Sequence, residues 1–199
     1  MNATGIVAGS KRADARRNYD LLIAAATAAF AERGADDVSL EEIARRAGVG
    51  IGTLYRHFPT RLDLQAAAFR NQVTVLCREA LEMLDRAEPE RAFFTWMQIM
   101  AGYFMTKRGL SKAVMEALGR DSEVMETCWT RMRDTTERTL TLAQEAGMIR
   151  PDVSAMDAMR LAHGVVVSAE RDPDQAPRLL AIMMDGLRAM PPLGSPGAG

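Results

Sequence analysis

The strongest constraint on this chain lies between Ser39 and Phe58, where Gly48 follows Ala44 by four residues and Leu54 follows Gly48 by six. Two short helices joined by a tight turn approach closely, so the first needs a small residue facing the second. The turn needs a residue that accepts positive φ, and the second helix needs an apolar anchor. Ala44, Gly48 and Leu54 meet these demands in order. Ile43, Ala47, Val49 and Phe58 complete an apolar side. The spacing predicts a helix-turn-helix.

The same reading extends along the chain. Tyr19, Leu22, Ile23, Ala26 and Phe30 form one apolar stripe on a first helix, which Gly34 ends. Ser39 stands three residues before Glu42, a capping-box pattern that opens a second helix, and Gly48 closes it. A third short helix runs from about 50 to 57. Thr60 and Asp63 make another capping box for a fourth helix reaching toward Arg86, after Pro59. Further helices are expected near 89–106, 110–119, 122–146, 154–170 and 175–189, with Gly109, Gly119, Gly147 and the 171–174 turn as breaks. Val165, Val166 and Val167 form a strand-like run without a partner strand, so they are read as helical. The fold class is therefore all-α: a three-helix helix-turn-helix domain followed by a second helical domain, about nine helices in all. The boundaries expected are 1–10 and 191–199 as disordered tails, 11–64 as the helix-turn-helix domain and 65–190 as the second domain.

Composition excludes several classes. With 199 residues, 48% of them hydrophobic, the chain has enough apolar material for a core. The net charge of −1 rules out a polycationic coat, although residues 1–61 carry nine basic against seven acidic groups. No apolar run reaches the ~18 residues of a membrane span, and the first ten residues lack a secretory signal's apolar stretch. Cys77 and Cys128 suit a reducing compartment and make no metal spacing, so no disulfide is expected. A soluble, cytoplasmic protein without a cofactor or metal is expected. The glycines at 48, 50 and 52 follow a helix and not a strand, which excludes a nucleotide-binding loop. Neither His57 nor His163 has a partner at ligand spacing, and no nucleophile–base pair stands out, so no enzyme is expected.

The outward residues of the motif carry the chemistry. The second helix of such a unit enters the DNA major groove with its N-terminal residues near base edges. Thr53 and Tyr55 offer hydroxyls there, and His57 offers a ring nitrogen. Ser39 and the N–H groups behind it suit a phosphate, as do Thr60 and Arg61. Lys11, Arg12, Arg16 and Arg17 form a basic arm suited to the backbone or the minor groove. Residues 18–64 resemble the DNA-binding domain of the tetracycline-repressor (TetR) family. The resemblance is carried by Ile23 through Gly34, by Ser39, Ile43, Ala44, Ala47, Gly48 and Val49, by Gly52-Thr53-Leu54-Tyr55 with His57 and Phe58, and by Arg61 and Leu64. It implies a homodimeric regulator that binds an inverted-repeat operator in double-stranded DNA, usually represses, and is released by a small molecule. It also implies DNA contacts from Ser39, Thr53, Tyr55 and His57, with Ile51 and Gly52 near bases. Arg61 stands where the family commonly has a phosphate-binding lysine, and Arg17 is counted with the DNA-binding set. Ile51 either meets a thymine methyl or turns inward, since 51, 54, 55 and 58 also form a helical stripe.

The rest of the chain resembles the family only in length and helical pattern. Thirteen of the 14 methionines follow residue 82. Methionine fills irregular cores and also lines adaptable binding surfaces. Residue for residue, an ordinary core accounts for them. As a group, Trp96, Met97, Met100, Phe104, Met125, Trp129 and Met132 fall where the family builds a pocket, which implies an apolar or amphipathic effector. The last two helices carry more apolar surface than one thin layer hides, which suggests a four-helix bundle across a two-fold axis in a homodimer. Two alternatives stand beside the repressor: a regulator without a small-molecule ligand, and a small-molecule binding or sequestering protein.

Overall fold

The computed structural model describes residues 3–106, 108–169 and 171–189, with side chains from Arg12 onward except at 106–109. Nine α-helices and one short 3₁₀ turn account for most of the described residues: α1 (Ala3–Arg33), α2 (Leu40–Ala47), α3 (Ile51–His57), α4 (Arg61–Leu84), α5 (Pro89–Thr106), α6 (Arg108–Leu118), α7 (Glu123–Glu145), α8 (Ala155–Ser168) and α9 (Ala176–Leu187). The chain divides into two compact units. One takes Met1–Val73 with Lys107–Thr127, and the other takes Thr74–Thr106 with Cys128–Gly199. A single cut at residue 64 therefore does not describe the packing, because segment 107–127 groups with the N-terminal unit. Helices α4 and α7 each contribute to both units.

Unit one is built around the expected stripe. Leu22, Ala26, Ala29 and Phe30 of α1 are buried, together with Ile43, Ala44 and Ala47 of α2, Leu54 of α3 and Leu64 and Ala68 of α4. The structure differs from expectation upstream of that stripe. α1 already begins at Ala3 and is 31 residues long, about 46 Å, so residues 3–10 are not an unstructured tail. Apolar periodicity reports burial and not helicity. Once the packed half of α1 is fixed, each added residue costs only its own ordering and gains one hydrogen bond. The expected tail at 191–199 lies outside the described residues.

Unit two contains a cluster of Ala101 (α5), Val166 (α8) and Leu180 (α9), against which Phe104, Met105, Val165 and Met183 pack. The valine run lies inside α8, as read. Ser154 caps that helix by a full capping box with Asp157, whose carboxyl is held below the usual carboxylate range by the Ser154 hydroxyl and N–H. A short backbone pairing, Arg150 N–H to Leu187 O at 3.0 Å and Ala189 N–H to Met148 O at 2.9 Å, fixes the end of α9 to the α7–α8 connection. Gly109 does not make the break expected of it. α5 ends at Thr106 and α6 opens at Arg108, so Gly109 falls in the first turn of α6, where helical hydrogen bonding demands least of it.

Candidate nucleic-acid interface

The α2–α3 module is held by caps at both ends of α2 and at the start of α4. Ser39 is extended (φ −78°, ψ 154°), and its Oγ accepts the Glu42 N–H at 3.1 Å. At the other end Gly48 takes φ 65°, ψ 27°, and the Val49 N–H reaches the Ala44 carbonyl at 2.9 Å. Only a residue at ease in this left-handed region lets the chain reverse here and start α3 three residues later. Inside the reversal Leu54 and Ile43 are fully buried, and Phe58 seals the exit by stacking on Tyr19 with ring centroids 5.1 Å apart. Beyond Pro59, the Thr60 N–H donates to the Asp63 carboxylate at 2.9 Å and the Asp63 N–H to Thr60 Oγ1 at 3.1 Å, the reciprocal box expected for α4.

An ionic lattice braces α2 against α1. Glu42 accepts hydrogen bonds from Arg33 and from Arg46 Nε at 3.0 Å, and Arg46 also donates to Glu32 at 2.7 Å. The Arg33 hydrogen bond foremost, with Arg46 beside it, holds the Glu42 carboxyl below its ordinary range. Arg33 and Arg46 therefore serve the scaffold.

On this frame the expected DNA-facing residues fall into three groups. Ile51 (38% exposed) and Tyr55 (46% exposed) face solvent along with Gly52, so of the stripe 51, 54, 55 and 58 only Leu54 and Phe58 turn inward. Thr53 is half-buried, and its Oγ1 accepts from Arg56 Nη2 at 3.0 Å, while Arg56 Nε donates to the Gly52 carbonyl at 3.1 Å. His57 is half-buried, its ring meeting Tyr19 edge-on at 5.9 Å. Ser39 is exposed at the mouth of α2. Arg61 differs from an open phosphate clamp: half-buried, it donates through Nη2 to the Ala35 carbonyl at 2.5 Å, and Gln65 Nε2 donates to the same oxygen at 3.2 Å. Arg17 is exposed on α1. Arg56, absent from the expected set, is fixed on the outer face of α3. An arginine eight residues beyond the helix-ending glycine is its signal. Hydroxyl, guanidinium and imidazole groups on one seven-residue helix offer donors to phosphate oxygens and base edges.

The seven residues expected at an effector pocket do not share one environment. Trp96, Met97, Met100 and Met132 are buried in unit two, and the Trp96 indole N–H donates to Thr136 Oγ1 at 2.9 Å. Phe104 packs instead on the α5–α8–α9 cluster. Trp129 is 43% exposed, because Cys128 and Met132, one turn apart, occupy the inner face of α7 and leave Trp129 about 100° round from it. Met125 falls in unit one. Cys77, Cys128 and Tyr103 are buried in unit two. Burial raises the Cys77 thiol above its ordinary range, and burial with the neighbouring Cys128 and Cys77 raises the Tyr103 phenol. Both stay protonated near neutrality. Both cysteines are free, and among the described residues no group of three or more His, Cys, Asp or Glu could hold a metal ion. Among them, too, no helix is long and apolar enough to cross a membrane.

A capped helix, a left-handed glycine turn and a short exposed helix over a buried leucine define a helix-turn-helix protein. Comparison with known proteins gives the family. A model described as bacterial regulatory proteins, tetR family, matches residues 22–68, and one described as the C-terminal domain of SbtR-like transcriptional regulators matches 88–189. The crystal structure of a TetR transcriptional regulator from Streptomyces coelicolor is 34% identical, with a TM-score of 0.73, over 86% of this chain and 99% of that one. A TetR transcription regulatory protein from Mycobacterium vanbaalenii is also 34% identical, with a TM-score of 0.71, over 89% and 98%. An HTH-type transcriptional regulator of Staphylococcus aureus is 26% identical over 107 residues, so the matched region spans about half (56%) of that relative's length. The chain belongs to the tetR family of bacterial regulatory proteins, transcriptional regulators that bind DNA operators and act as dimers.

Proposed function

We propose that the chain is a dimeric repressor that reads an inverted-repeat operator through α3 and leaves DNA when a small apolar or amphipathic molecule binds its second unit. The observation that carries the reading is α3 itself: a helix anchored by a fully buried Leu54 whose Ile51, Gly52, Tyr55 and Arg56 all face solvent. In the major groove Ile51 meets a thymine methyl, Gly52 lets the backbone approach, and Thr53, Tyr55, His57 and Ser39 donate to phosphates. Arg61 has donors left for a phosphate after serving Ala35, since a guanidinium carries five N–H groups.

Dimerisation through α8 and α9 accounts for apolar side chains that a monomer leaves in water. Leu161 and Val167 on α8 and Ile182 on α9 are about half exposed, and Gly164 beside them lets helices approach closely. Two copies then present two α3 helices to successive major grooves about 34–36 Å apart. The effector is assigned to the apolar interior around Trp96, Met97, Met100 and Met132. A ligand there competes with well-packed side chains, and moving the dimer fully between states takes a ~10⁴-fold difference in affinity.

Selection from random duplex DNA by the purified protein, at stated salt, tests the reading. Enrichment of an inverted repeat is expected. A folded dimer that enriches no sequence contradicts it.

A further inference from the structure

α1 runs well past the part of unit one that it helps to bury. Its apolar stripe, Phe30, Ile23 and Tyr19, meets α2 and α3, and Tyr19 touches both His57 and Phe58 at the end of α3. Continuing the same stripe upstream at helical spacing gives Arg16, three residues before Tyr19, and Arg12, one turn further. Arg12 and Arg16 are exposed, and no ion pair involves either among the described residues. The stripe thus changes from apolar to cationic just upstream of the point where Tyr19 meets the end of α3. Arg33, Arg46, Arg56 and Arg61 are by contrast all hydrogen-bonded within unit one. Arg17 stands about 100° round from Arg16, off this stripe.

We propose that the N-terminal half of α1 is a second DNA-binding element, one that stays helical and lays Arg12 and Arg16 on backbone phosphates beside the groove occupied by α3. The proposal rests on the DNA-binding reading above. A helix about 10–12 Å across does not enter a minor groove about 6 Å wide, so the contacts fall on phosphates and carry no base preference. The two guanidinium groups rise from positions about 6 Å apart along the axis, within reach of neighbouring phosphates on one strand. The element adds affinity for any duplex and holds α3 against the groove while bases are read.

The test is the salt dependence of binding by the full chain to two fluorescent duplexes of about 30 base pairs, roughly three turns, one all G·C and one all A·T. Arg12→Ala/Arg16→Ala is compared with wild type and with Arg86→Ala/Arg138→Ala, which removes the same charge from exposed sites in unit two. Each phosphate contact contributes about 0.9 to the slope of log K against log salt, so with two contacts from each protomer of the dimer the first variant loses about 3.6 on both duplexes. Across a fourfold change in salt, its affinity then falls about 150-fold less than that of wild type. A slope equal to wild type, or an equal loss in the unit-two variant, overturns the proposal and leaves the regulator reading intact. A loss confined to the A·T duplex overturns the helical arm in favour of an unwound segment in the minor groove. Wild type that binds neither duplex overturns the proposal, since the element would then add no affinity for arbitrary DNA, and leaves the operator reading to the selection above.

Discussion

Gly48→Ala is the sharpest probe of the turn that aims α3. Gly48 sits at φ 65°, and a Cβ built there meets no atom within 4 Å. The cost is therefore conformational and not steric: holding an L-residue in the left-handed region takes about 1–2 kcal/mol. No packing is lost with it, because glycine has no side chain to remove. Urea denaturation followed by circular dichroism should show the unfolding free energy lowered by that amount, through an earlier midpoint with the slope unchanged. Gly48→Asn should recover much of the loss, because asparagine visits this region far more readily than alanine. If alanine matches wild type, or asparagine is as damaging as alanine, the turn does not need the left-handed conformation and the reasoning from spacing to module fails.

Other consequences are equally open to measurement. The depressed Glu42 carboxyl stabilises the fold at pH values above the ordinary 4.5, and that contribution is lost as pH falls through its lowered folded value. The stability gap between wild type and Glu42→Gln should therefore close on acidification; a gap independent of pH would contradict the lattice with Arg33 and Arg46. Trp96→Phe removes a buried hydrogen bond to Thr136 and should cost about 1–3 kcal/mol, whereas Trp129→Phe on the exposed face should stay within about 0.5 kcal/mol. Acrylamide should correspondingly quench Trp129 well before Trp96. Ile182→Glu places a charge on the face assigned to the dimer and should yield monomers in sedimentation, with operator affinity reduced at least tenfold. Intact dimers would move the interface elsewhere.

The DNA-reading module was legible because its requirements are local. Gly48 between the helices, Leu54 as anchor and Thr60 with Asp63 each answer a demand made within a few residues and take the expected geometry, whereas the box at Ser39 is half formed: its Oγ accepts the Glu42 N–H, but the Glu42 carboxylate turns to Arg33 and Arg46. What needed three dimensions was where exposed or amphipathic groups turn. Arg61 was read as a phosphate ligand, yet it spends one donor on Ala35, a carbonyl 26 residues away that no spacing reveals. Ile51 was undecided between faces because a single stripe includes both buried and exposed positions at a helix edge. The family resemblance puts Trp129 at the pocket, but Cys128 and Met132 take the inner face of α7. The helix at 3–10 was missed because it carries no apolar stripe, and the grouping of 107–127 with unit one because no local pattern encodes which distant segment a helix packs on.

Methylation interference on a selected operator tests the central claim most directly. If α3 of each protomer lies in the major groove, methylation of guanine N7, which lies in that groove, should block binding in two clusters one helical turn, or a multiple of it, apart. Interference confined to minor-groove positions, or none anywhere within a bound duplex, would contradict it.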